Sequence, residues 1–412
     1  AGRRVTTMVT LAVAGLTNHP DVAVGYVVSG FSSGANIAIS TLFAFGCTRR
    51  QREAAAPGLS RGCAEGMMAL GGSPYGCNVL PNADIVCGTA PSGTNWTANN
   101  AVCAEYIAAR EASGLIAPVA NLEGVPVYLY SGLHDTIVFQ PVMKALAAQL
   151  ETLDANVTAR FDVPSEHAWI VDHGTCPSPR DSNLAQCCGD KGKVGMCVGA
   201  TAPPPLNASG VAAPRCCGAC ADGTLGGWWR PPVNNCNLDL SAEVLRKLLG
   251  PAGIARPRGR RVQARLRSFN QTVFTGLATN TSFMDEAGFL YVPSGCDGAA
   301  IDECAVHIHY HCCDCNWRSV GEGYMLDSAL LDWAETNRIV TLFPQALNSD
   351  VTGNCWDWYG QTGAHFDTKH GLQLVAVNKM VAALRTIDST PWPREAVGIA
   401  EAATITGAAT RH

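Results

Sequence analysis

The segment Gly30-Phe31-Ser32-Ser33-Gly34 places a serine between glycines two positions before and two after it. A β-branched run, Val24 to Ser29, precedes it, and the small and apolar residues of Gly34 to Phe45 follow. A strand, a tight turn and a buried helix would lift such a serine into a strained, accessible position, the arrangement of a nucleophile elbow. A serine hydroxyl is a weak nucleophile until a neighbouring base takes its proton and a third group orients that base. Asp135, in Ser131-Gly132-Leu133-His134-Asp135, follows the strand-like Val125 to Tyr130. His167, in Pro164-Ser165-Glu166-His167-Ala168-Trp169, follows the alternating Val157 to Val163. The expected roles are Ser32 as nucleophile, His167 as base and Asp135 as the carboxylate that fixes its tautomer. The Ser33 amide, next after the nucleophile, becomes one oxyanion donor. His173 is the rival base, set aside because it lies six residues farther from the strand end.

Strands that alternate with helices imply a mainly parallel sheet covered by helices on both faces. The Val125 to Tyr130 strand is followed by a helix from about Pro141 to Leu153, then by the Val157 to Val163 strand. From 176 to 232 the rhythm breaks: seven cysteines and a triple proline read as a cysteine-rich loop insertion. A helix over Ser241 to Leu249 follows, then a basic linker over 251–267 rich in Gly and Pro. The last third resumes with strands Gly288–Val292, Ala305–Tyr310 and Ile339–Phe343, a helix over Tyr324–Thr336 and a closing helix over Leu372–Leu384. The order Ser, acid, His along the chain is that of an α/β-hydrolase. Only 31 residues precede Ser32, too few for the strands that normally come before the elbow. The C-terminal third must supply them, so the expected fold is a single, circularly permuted α/β-hydrolase domain over 1–412.

Composition narrows the classes. A 47% hydrophobic and 15% charged content suits a packed core. A net charge of −5 gives no basic footprint for nucleic acid, and no run reaches the ~20 apolar residues of a membrane span. Nineteen cysteines and five Asn-x-Ser/Thr sequons, at Asn95, Asn156, Asn207, Asn270 and Asn280, point to an oxidising, secretory setting. Arg3-Arg4 followed by the apolar Val5 to Leu16 reads as a signal-peptide remnant. The expected location is therefore secreted.

Seven segments, in order, resemble the permuted esterases of the poly(3-hydroxybutyrate) depolymerase family. They are SGFSSGANIA around Ser32, GGSPYGC ending at Cys77, YLYSGLHDTIV around Asp135, PSEHAW around His167, NNCNLD around Cys236, YVPSGCDGAAIDECAVHIHYHCC from Tyr291 and NCWDWYGQTG from Asn354. The resemblance implies a carboxylic-ester hydrolase acting on polyester or hydroxyalkanoate oligomers, without a cofactor. It puts nucleophile, acid and base on Ser32, Asp135 and His167. The family's His-Gly-Cys oxyanion loop aligns with His311-Cys312-Cys313, making the Cys313 amide the second donor. This chain departs there, with Cys312 in place of the glycine and Cys315 in place of a following glutamine. A side chain at 312 is expected to alter the loop and narrow the site. The family's aromatic crevice residue aligns with Trp356, giving it a substrate-binding role. The resemblance also implies the disulfides Cys296–Cys304, Cys176–Cys236 and Cys313–Cys355.

Two rival readings stand beside this one. His307, His309 and His311 recur at every second residue beside Cys312, Cys313 and Cys315, a zinc-type ligand set by residue type. The resemblance accounts for His307, His311 and Cys313 without metal, an oxidising compartment favours disulfides, and no metal is expected. For function, the alternatives are a feruloyl or acetyl esterase and a non-catalytic, secreted, disulfide-rich binding protein on a hydrolase scaffold.

Overall fold

The computed structural model describes residues 25–53, 62–165, 167–173, 233–298 and 303–384. The signal-like segment, Asn207 and the whole of the cysteine-rich insertion lie outside the described residues.

Ten strands occur among these residues: β1 (Tyr26–Phe31), β2 (Ala64–Leu70), β3 (Pro126–Tyr130), β4 (Asn156–Arg160), β5 (Trp169–Val171), β6 (Val233–Asn235), β7 (Leu266–Asn270), β8 (Ala287–Tyr291), β9 (Ala305–Tyr310) and β10 (Ile339–Phe343). Eight form one sheet in the order β4-β3-β2-β1-β9-β10-β8-β7, and β5 pairs with β6 separately. The pairs from β4 through β10 are parallel; β8 runs antiparallel to both β10 and β7. Placing β9 beside β1 sets a late strand against the first one, the permuted order inferred from the short lead before Ser32.

Alternation along each central strand feeds two apolar layers, since successive side chains point to opposite faces. Val28, Met67, Ala69, Val127 and Leu129 pack with helices Ser33–Phe45, Gln140–Glu151 and Leu372–Ala383. Val27, Met68, Leu70, Tyr128 and Tyr130 pack with helices Leu240–Gly253 and Leu330–Asn337. The sheet is thus an α/β sandwich covered on both faces, as the strand–helix alternation requires.

Two expectations need correction. The single helix over Tyr324–Thr336 is two, Gly323–Asp327 and Leu330–Asn337, because Ala329 takes a left-handed φ of 65°. The Ser328 carbonyl at this break accepts the Trp169 indole N–H at 3.0 Å. The basic stretch 251–267 is a strap, not a bare linker: Arg258 pairs with Asp239 (2.8 Å), Arg261 with Asp332 and Arg265 with Asp297 (both 2.9 Å). Its last residues, Leu266 and Arg267, already belong to β7.

Candidate active site

Strand β1 ends at Phe31, and Ser32 turns the chain into the helix Ser33–Phe45 with φ 60° and ψ −121°. Few non-glycine residues hold such angles without support from their surroundings. The support is visible: the Ser32 amide donates to Leu70 O of the neighbouring strand at 2.7 Å. The two flanking glycines are required by contact. A Cβ on Gly30 would lie 1.9 Å from Gly34 O, and one on Gly34 would lie 2.3 Å from Tyr310 O. The helix start is thereby pressed against the end of β9.

Asp135 and His167 come from the loops after β3 and β4. The loops are laced by backbone bonds, Leu133 N–H to Val163 O (2.8 Å) and His134 N–H to Ser165 O (3.0 Å). Asp135 Oδ1 accepts from the amides of Ile137 (3.0 Å) and Val138 (2.8 Å), and its Oδ2 meets His167 Nδ1 at 2.8 Å. Both side chains are buried. A carboxylate on Nδ1 keeps the proton on that nitrogen and leaves Nε2 as the basic atom. Nε2 is buried and has no hydrogen-bond partner, so Ser32 Oγ does not reach it in this structure. The ring nevertheless lies at the elbow, with its centroid 4.7 Å from that of Phe31. His173 sits elsewhere, paired with Asp172 at 3.1 Å.

The Ser33 amide belongs to the first turn of its helix, where amides lack an intrahelical acceptor. Cys313 follows β9, the strand next to β1, and is bonded to Cys355. Cys312 and Cys315 are bonded to each other. His311 pins this loop: its Nε2 accepts from the Ala346 amide (3.0 Å), so Nδ1–H donates to Cys312 O (2.7 Å). Burial lowers the His311 pKa to about 4, which keeps the ring neutral.

The histidine pattern of β9 has its own use. His307 Nε2 and His309 Nδ1 both meet Ser29 Oγ, at 2.7 and 2.6 Å, and His309 Nε2 meets Tyr324 OH at 2.9 Å. With Cys312, Cys313 and Cys315 all in disulfides, the zinc-type ligand set is occupied by protein contacts.

Trp356 departs from expectation. It is 0% exposed, packed at 5.2 Å against both Tyr310 and His311, with Nε1 unpartnered. Its amide donates to Ser33 Oγ at 3.2 Å. The ring therefore lies beneath the elbow as packing and does not line an open crevice. Of the implied disulfides, Cys296–Cys304 and Cys313–Cys355 are present; Cys176 lies outside the described residues.

One residue escaped sequence reasoning although its motif was visible. Gly71, at φ 64°, touches the His167 ring, and a Cβ there would lie 2.6 Å from His167 Cε1. It heads the GGSPYGC segment, which by itself gave no hint of a histidine packed against it.

Comparison with known proteins fits this architecture. No family model matches the chain. It is 29% identical over 359 residues to a poly(3-hydroxybutyrate) depolymerase of Delftia acidovorans, covering 86% of this chain and 58% of that protein. The chain is thus similar in sequence to a poly(3-hydroxybutyrate) depolymerase. A polyhydroxybutyrate depolymerase of Talaromyces funiculosus is 29% identical over 277 residues, covering 64% of this chain and 66% of that one. The chain thus spans less than two thirds of the length of these curated relatives. Two solved structures share the fold. One is a PHB depolymerase in complex with an R3HB trimer, at TM-score 0.61 and 24% identity, covering 89% of this chain and 98% of that one. The other is a PHB depolymerase from Penicillium funiculosum, at TM-score 0.60 and 24% identity, covering 88% and 95%.

Proposed function

We propose that this chain is a secreted serine esterase that hydrolyses hydroxyalkanoate-type esters through an acyl-enzyme on Ser32. The observation that carries the reading is the Asp135–His167 pair delivered to a strained serine elbow, with His167 Nε2 left without a protein partner. In the mechanism, His167 Nε2 takes the Ser32 proton as Oγ attacks the ester carbonyl, then returns it to the leaving alcohol. A modest movement of Ser32 Oγ toward Nε2 is needed, and such bonds often tighten only when substrate binds. The Ser33 and Cys313 amides would hold the oxyanion, while Asp135 steadies the imidazolium. Water then repeats the cycle on the acyl-enzyme, with no cofactor required.

Both curated relatives are named as depolymerases of polyhydroxybutyrate, which supports a polyester or its oligomers as substrate. The burial of Trp356 favours the short end of that range, since an aromatic crevice wall for a long chain is missing there. Disulfides at Cys47–Cys63, Cys77–Cys87 and Cys296–Cys304 support an oxidising compartment. Sequons at Asn95, Asn156 and Asn280 sit on exposed residues, which suits glycosylation. No helix among the described residues is long and apolar enough to cross a membrane. The test is labelling by a fluorophosphonate, followed by assay on hydroxybutyrate oligomers, feruloyl esters and p-nitrophenyl butyrate. Labelling that survives Ser32→Ala, or no labelling of the wild type, would overturn the reading.

A further inference from the structure

The loop that follows β9 carries more covalent restraint than any other short segment among the described residues. Cys312 and Cys315 are bonded to each other, with Cα atoms 5.0 Å apart. Between them sits Cys313, itself bonded to Cys355 across a sequence separation of 42. The Cys315 amide donates back to Cys312 O at 3.2 Å, closing a turn. Asp314 within it is left-handed at φ 56°, and its amide donates to Asn354 O at 3.3 Å. From the other side the neutral His311 ring ties Cys312 O to the Ala346 amide. Cys312 and Cys315 are buried in the apolar cluster that also holds Phe31, whose ring packs against that of His167. These two cysteines are the positions at which the chain departs from the glycine and glutamine of the family it resembles.

A bridge across so short a loop restrains the unfolded chain only about half as much as one closing a loop of 42 residues. Its main effect is therefore local, on the folded backbone around Cys313. An oxyanion donor lowers a barrier only when it is already aimed at the place where charge develops. We propose that Cys312–Cys315 is a positioning disulfide that aims the Cys313 amide into the oxyanion hole. The proposal rests on the serine-esterase reading above. It also makes turnover depend on the oxidation state of the bridge. A dithiol reductant would pass two electrons and two protons to the two sulfurs, breaking the S–S bond and leaving two thiols while the dithiol closes to its own disulfide.

The test compares two double variants of the whole chain, Cys312→Ala/Cys315→Ala and Cys47→Ala/Cys63→Ala. The second removes the bridge beside the N-terminal ends of β1 and β2, away from the elbow. kcat and KM on p-nitrophenyl butyrate are normalised by active-site titration, and hydrogen exchange is followed in the peptide spanning 311–316. The expected result for Cys312→Ala/Cys315→Ala is a kcat at least about tenfold lower with KM within about twofold, because the lost contact acts mainly on the transition state. Its 311–316 amides should exchange at least about tenfold faster. The Cys47→Ala/Cys63→Ala variant should melt earlier yet keep its kcat. Unchanged kcat and exchange in the first variant, or an equal kcat loss in both, would overturn the proposal. If the wild type neither hydrolyses ester nor reacts with fluorophosphonate, the esterase reading fails instead. The exchange rates then decide alone whether the bridge holds the loop, and unchanged rates would sink that idea too.

Discussion

At the scale of single residues, the site depends on contacts that tolerate no added atoms. Ser32→Ala should abolish ester hydrolysis, a loss of roughly 10⁴-fold or more in kcat, and adding His167→Ala should cost little further because the two act as one unit. Steady-state kinetics on the single and double variants check both statements. Gly71→Ala tests a less obvious dependence. Its methyl would lie 2.6 Å from His167 Cε1 on a backbone already at φ 64°. The ring must then shift away from the Asp135 carboxylate, and a displacement near 1 Å can lower kcat by about 10²-fold. Folding stability should fall by about 1 kcal/mol, measurable by urea titration. Equal kinetics in Gly71→Ala would show that the ring has room to yield.

At the scale of elements, the elbow works because the helix Ser33–Phe45 is packed without a gap onto the end of β9. Gly34→Ala would drive a methyl to 2.3 Å from Tyr310 O and 2.4 Å from His311 O, both backbone atoms that cannot rotate away. Overpacking of this kind costs about 1–3 kcal/mol, so the thermal midpoint should drop by several degrees, checked by calorimetry. The sequence announced these elements well where pattern and position agreed: β9 and β10 have the limits expected from their apolar runs. It announced β2 poorly, since Ala64 to Leu70 contains Glu65, Gly66 and two methionines in place of the β-branched residues that mark strands. The triad candidates were legible because each closes a recognisable strand. The position of Trp356 was not, because an aromatic at the end of a motif reads the same whether it faces a ligand or a core. The break at Ser328 was hidden for a related reason: its carbonyl is claimed by Trp169, far away in sequence.

At the scale of the whole molecule, the buried histidines of β9 tie stability to pH. His307 and His311 have pKa values lowered by burial to about 3 and about 4, and His309 is lowered in the same direction. Each would bind a proton near pH 6.5 in the unfolded chain but only at a lower pH when folded. Their contribution is complete above pH 6.5 and falls as pH drops through the window down to 4 and then 3. The expected slope is about 1.4 kcal/mol per pH unit for each histidine, a loss of a few kcal/mol by pH 5. Urea midpoints at pH 7 and pH 5 check it, and equal midpoints would mean that these rings are protonated in the native state. The permuted strand order has a consequence of another kind, in time. Translation delivers β1, with its serine, long before β9, which must lie against it and bring the loop that carries Cys313. At ~5–20 residues per second the intervening chain takes tens of seconds to emerge. Through that interval the central strand of the future sheet offers an open, apolar edge, the kind of surface that recruits other chains. The nascent molecule is thus most vulnerable to misassembly where the finished one is most rigid, and the proposed site stays incomplete until its last third has been made.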